Sequence, residues 1–121
     1  MTYYRKYKNK KVSMNGIIFD SQKEASRYWE LWVMQSQGLI KDLKPDMETK
    51  KKAVYELIPA QKGELRNEKA VKYIPDFEYF DVEKGKTVVE DVKSEMTRKL
   101  PEYIIKRKLM KKVHGIEVVE I

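Results

Sequence analysis

Residues 71–82 alternate apolar and polar side chains, Glu83-Lys84-Gly85-Lys86 reads as a turn, and residues 87–93 are rich in β-branched side chains. Two such stretches joined by so short a polar connection are expected to pair as an antiparallel hairpin. Because successive strand side chains point to opposite faces, Asp91 and Lys93 share one face, and Glu90 and Val92 the other. A hairpin centred between Lys84 and Gly85 sets Asp76 opposite Lys93 and diagonal to Asp91, with Cβ atoms roughly 5–8 Å apart. Glu78, on the face of Asp76, then lies opposite Asp91 as a weaker competitor. Two carboxylates and an ammonium converge on one patch through local geometry alone.

Such a patch suits phosphodiester hydrolysis. Asp76, Asp91 and the Val92 backbone carbonyl, completed by water, can make an octahedral oxygen site for a divalent cation. The cation would acidify water and neutralise phosphate charge. Lys93 supplies a point charge near the reacting phosphate. Composition restricts the metal. The chain has no cysteine and one histidine, His114, so thiolate sites, disulfides and multi-histidine sites within one chain are excluded. Oxygen ligands point to Mg²⁺ or Mn²⁺. His114, beside Gly115, reads as a helix-end residue rather than a base.

Elsewhere the pattern alternates between strand and helix. Residues 12–19 read as a hairpin turning at Asn15-Gly16. Ser21 and Glu24 form a capping box for a helix whose apolar stripe is Ala25, Tyr28, Trp29, Trp32 and Val33, with Gly38 just past its end. Residues 39–48 are ambiguous because Pro45 interrupts them, 53–58 read as a strand, 61–69 as a loop and 94–99 as a polar connection. Pro101 opens a second helix to about residue 113, with Ile105, Leu109 and Val113 as its apolar line, and 116–121 form a last strand after Gly115. The expected fold is α/β (α+β): a mixed central sheet flanked by helices, its last strand inserted after a helical crossover.

At 121 residues the chain is expected to form one domain, with residues 1–11 as a basic arm. Its net charge of +7 favours a polyanionic partner, nucleic acid before a membrane surface. No apolar run approaches the roughly 20 residues needed to span a bilayer. MTYYRKYKNKK has no apolar stretch of a secretory signal, so the cytoplasm is the expected location. Candidate phosphate contacts are Lys8, Lys10 and Lys11 in the arm, where Tyr3, Tyr4 and Tyr7 are interleaved, and Arg98, Lys99, Lys106, Lys108, Lys111 and Lys112 around the second helix.

Pro75-Asp76 with Asp91-Val92-Lys93 resembles the motif of the PD-(D/E)XK nuclease superfamily. The stretches NGIIFDSQKEASRYWEL, KYIPDFEYF, VVEDVKS and KRKLMKKVHGIEVVEI further resemble an uncharacterised family of small phage and prophage proteins placed in that superfamily. The resemblance covers most of the chain, least well over residues 46–68. It implies a restriction-endonuclease-like αβββαβ core, here preceded by the hairpin, and a helix glutamate completing the site at Glu24. It also implies Mg²⁺-dependent cleavage of DNA, with branched recombination intermediates among the substrates. Cutting both strands with so small a protomer suggests a homodimer. The competing expectations are a non-catalytic nucleic-acid-binding module on the same fold and a basic interaction protein of a phage assembly; neither calls for converging carboxylates.

Overall fold

In the computed structural model, which describes residues 10–121, Asn15 and Gly16 both take positive φ, 51° and 82°. Two left-handed residues let a tight turn follow the natural twist of the strands. Strand β1 (Val12–Met14) therefore pairs antiparallel with β2 (Ile17–Phe19). Helix α1 (Gln22–Ser36) follows at once, its first turn closed by Ser21 Oγ, which accepts the Glu24 N–H at 3.1 Å. At its other end Gly38 adopts φ 78°, and the Gly38 and Leu39 amides bond back to the Gln35 and Met34 carbonyls. This paired ending needs a left-handed residue, which glycine supplies without a Cβ clash.

The inward face of α1 differs from the expected stripe. Glu24, Ala25, Tyr28 and Leu31 are buried, whereas Trp29 is 48% exposed and lies stacked on Trp32 at 5.3 Å. Polar anchors set this rotation: the Tyr28 hydroxyl donates to the Pro45 carbonyl at 2.8 Å, and Arg27 grips the sheet.

β3 (Ile40–Lys44) resolves the ambiguous stretch around Pro45. β4 (Tyr55–Ile58) shortens the expected strand 53–58. The expected loop 61–69 contains a small hairpin, β5 (Gln61–Lys62) with β6 (Asn67–Glu68). Gly63 permits it, because a Cβ there would stand 2.8 Å from the Arg66 carbonyl oxygen. The single long strand expected over 71–82 is two strands, β7 (Val71–Tyr73) and β8 (Phe77–Asp81). Pro75, which has no N–H to donate to a ladder, sits in the break. β9 (Lys86–Asp91) is followed by a one-turn helix α2 (Glu95–Arg98) in the expected polar connection, capped by Ser94. Helix α3 (Pro101–His114) and β10 (Val119–Glu120) complete the chain.

The fold is α+β. A four-stranded mixed sheet runs β10-β9-β8-β3, antiparallel except for β10 beside β9, while β4 pairs separately with β7. α1 covers one face, packing Ala25, Tyr28 and Leu31 with Phe77 and Tyr79; the opposite core joins Val89 and Tyr73 to Met110 of α3. α3 is rotated from expectation. Tyr103 and Met110 are buried, whereas Ile105 and Val113 are 56% and 50% exposed. Among the described residues, no helix is long and apolar enough to cross a membrane.

Candidate active site

The break at Pro75 builds the site. As the chain re-enters the sheet, the Asp76 N–H donates to Asp91 Oδ1 at 3.0 Å, and the Val92 N–H donates to Asp76 Oδ2 at 2.9 Å. Each carboxylate is therefore fixed by the backbone of the neighbouring segment. The Tyr73 hydroxyl donates to the other oxygen of Asp91, and Lys93 Nζ stands 3.9 Å from it. Lys93 also lies over the Tyr103 ring, 4.7 Å from its centroid.

The register differs from the expected one. Phe77 pairs with Glu90 and Asp81 with Lys86, so the turn is Val82 to Gly85, closed by the Gly85 N–H on the Asp81 carbonyl. Asp76 accordingly lies beside Asp91 rather than opposite Lys93. The slip is two residues, and an even slip leaves every side chain on its face. The patch keeps its members and tightens. Glu78 falls opposite Val89 rather than Asp91 and accepts the Tyr55 hydroxyl.

Glu24 is buried at the start of α1. The Ser21 cap uses the backbone N–H of Glu24 and not its carboxylate. That carboxylate meets Lys52, whose Nζ is 3.9 Å from Glu24 Oε1 and 3.9 Å from Asp76 Oδ1. Sequence reasoning passed over Lys52 because it ends the undistinguished run Lys50-Lys51-Lys52. Tyr73 and Tyr103 carry no site signal in the sequence, because the strand break that aims Tyr73 and the inward face of α3 that carries Tyr103 are not legible there.

Crowding three acidic groups has an electrostatic consequence. Burial, then the charges of Asp91 and Glu24, push the Asp76 carboxyl up to about 7. Burial also raises Glu24, with Lys52 opposing it. A carboxyl whose folded pKa exceeds its unfolded value contributes stability below the unfolded pKa, and that contribution is lost as pH rises through the folded one. For Asp76 the window runs from about pH 4 to about pH 7. In metal-free buffer, Asp76→Asn is expected to match the wild type near pH 4. By pH 8 it should be more stable by on the order of 2–4 kcal/mol. Denaturant unfolding of the two proteins across this range checks the sign.

On the opposite face, the neighbour of Asp91 does structural work. Glu90, 1% exposed, receives a bidentate pair from Arg27, Nε at 2.8 Å and an η nitrogen at 2.7 Å, and accepts the Tyr79 hydroxyl. This anchors α1 to β9 one helical turn from Glu24.

The candidate phosphate contacts separate into groups. Lys106 lines a cleft of about 360 Å³ with Tyr73, Asp76, Asp91, Lys93 and Tyr103. Lys108, Lys111 and Lys112 are exposed, and at 100° per residue they do not share the Lys106 face. Lys111 pairs with Glu117 at 3.4 Å, Arg98 lies 3.9 Å from Glu120, and Lys99 is exposed. Lys10 is exposed and Lys11 is paired with Asp20 at 2.7 Å; Lys8 and the rest of the arm before Lys10 lie outside the described residues. His114 donates its Nε2–H to the Glu56 carbonyl oxygen of β4 at 2.8 Å and so pins the end of α3.

Among the described residues, no three acidic or histidine side chains form a ready-made metal cluster. Lys52 stands between two of the three acids. The donor chemistry nonetheless suits Mg²⁺ or Mn²⁺: every group is a hard oxygen, and the crowding that raises Asp76 is relieved by added positive charge. The chain belongs to the family described as Protein of unknown function (DUF1064), which matches residues 4–118. Neither a curated protein nor a solved structure gives a match.

Proposed function

We propose that this chain is a metal-dependent nuclease of the PD-(D/E)XK type that hydrolyses DNA phosphodiester bonds. The observation that carries this reading is the mutual clamp of Asp76 and Asp91, each accepting a backbone N–H from the other's segment, with Lys93 beside them. The order α1, β3, β8, β9, α3, β10, with the site where the chain enters β8 and leaves β9, supports it. Asp76, Asp91 and the Val92 carbonyl would hold Mg²⁺ or Mn²⁺, which would supply Lewis acidity for phosphodiester hydrolysis. The chain's residues do the rest. Tyr73 and the Asp76 amide fix both oxygens of Asp91, so the carboxylate is aligned before substrate arrives. Lys93, steadied over Tyr103, presents positive charge where negative charge grows on phosphorus-bound oxygens. Lys106, on the cleft wall, meets the flanking backbone phosphate. Such an enzyme works in the cytoplasm, as a homodimer when both strands are cut.

Two results follow. Glu24→Gln keeps the backbone cap but removes the charge facing Lys52, and is expected to lower cleavage at least tenfold with stability unchanged or raised. Full activity at equal stability would make Glu24 a cap alone. Lys106→Gln is expected to weaken DNA binding at every sequence and to reduce the slope of log affinity against log salt by about 1. The reading as a whole is tested by a panel of linear, nicked, flap, four-way-junction and single-stranded DNA, with and without Mg²⁺. Branched DNA is the expected preference. Cleavage of none of them would overturn the reading.

A further inference from the structure

Lys52 is a charged group in the site to which the proposed chemistry gives no task. It lies on the segment before β4, and its ammonium stands 3.9 Å from a carboxylate oxygen of both Glu24 and Asp76. These acids come from different elements, the first turn of α1 and the segment entering β8. Both distances exceed those of a direct charge-assisted hydrogen bond, about 2.7–2.9 Å. Lys52 therefore bridges the two acids through charge rather than a locked contact. Its side chain is 34% exposed, against 6% for Glu24 and 17% for Asp76. It reaches the acids from the solvent side and has room to withdraw.

We propose that Lys52 is a built-in counter-ion: it holds Glu24 and Asp76 together in the metal-free protein and competes with the divalent cation for them. The inference rests on the nuclease reading, since it takes Asp76 as a metal ligand. Lys93 does not duplicate the role. It faces Asp91 and is held by the Tyr103 ring, whereas Lys52 faces the other two acids. Lys52 is thus a positioning residue, acting through the carboxylates, and it tunes how much free cation is needed to switch the site on. With the water-like screening open to a solvent-facing ammonium, a dielectric constant of about 80, removing one positive charge a few ångströms away changes the affinity for a divalent cation on the order of tenfold.

Calorimetric titration of Mn²⁺ into full-length metal-free protein, paired with thermal midpoints before and after addition, tests this. Lys52→Gln is expected to bind Mn²⁺ about tenfold more tightly, to melt below the wild type without metal and to gain more from Mn²⁺. Lys52→Arg, which keeps the charge, should stay near the wild type in affinity. Unchanged or weaker Mn²⁺ binding by Lys52→Gln, with the wild type binding normally, would overturn the counter-ion role and leave the nuclease reading standing. Absence of Mn²⁺ binding by the wild type, or equal binding by Asp76→Asn, would overturn both.

Discussion

Purified Asp91→Asn protein is expected to fold like the wild type and to cleave DNA on the order of 10³-fold more slowly. The fold survives because asparagine can reproduce the hydrogen bonds. Its amide oxygen accepts the Asp76 N–H, and its amide nitrogen donates to the Tyr73 oxygen in place of the bond that Asp91 accepts. The charge is lost, however, and with it the proposed ligand for the divalent cation and the partner of Lys93. Asp91 also contributes to raising Asp76, so the variant should flatten the fall in metal-free stability between about pH 4 and about pH 7. Steady-state cleavage together with urea unfolding at both ends of that range checks both parts. Near wild-type cleavage would remove Asp91 from the site.

The second large effect lies on the other face of the same strand. Arg27→Met leaves Glu90 charged, 1% exposed and without its guanidinium. Breaking one end of a buried pair costs about 3–5 kcal/mol, more than a surface ion pair contributes, because the remaining charge has no solvent to receive it. For a chain of this size the melting temperature should fall by about 10 °C or more. Arg27→Met combined with Glu90→Gln should recover most of the loss, since glutamine is neutral and still accepts the Tyr79 hydroxyl. If the double variant is no more stable than Arg27→Met, the unpaired charge is not the cause. Because Arg27 holds α1 one turn from Glu24, the single variant should also weaken Mn²⁺ binding.

How the site could be read in the sequence depended on parity more than on register. Alternation along two strands put Asp76, Asp91 and Lys93 on one face, and the actual two-residue slip could not alter that. What alternation could not provide was the place of the turn. Gly85, with φ 66°, closes the loop at its end rather than sitting at its centre, which moves every pairing by two. The helices were located by their caps, Ser21 and Gly38 for α1, Pro101 and Gly115 for α3. Their inward faces were less legible. In α1 the buried face includes a charged residue, Glu24, which an apolar stripe excludes by construction. In α3 the side toward the sheet carries Tyr103, Lys106 and Met110, while Ile105 and Val113 face outward. Polar and charged residues on the inward faces displace the apolar pattern. Lys52 was illegible for another reason: its role depends on a meeting of segments far apart in sequence, and the neighbouring lysines offer the same local chemistry.

The measurement that bears most directly on the central claim compares wild-type and Asp76→Asn protein on branched and linear DNA in Mg²⁺, in excess chelator, and after Mg²⁺ is restored. The wild type is expected to cleave only with the divalent cation, to stop on chelation and to resume on its return. Asp76→Asn, folded and more stable than the wild type at pH 8 without metal, is expected to cleave in none of these conditions. Equal cleavage by the two proteins, or wild-type cleavage that persists in chelator, would contradict a metal-dependent site built on Asp76 and Asp91.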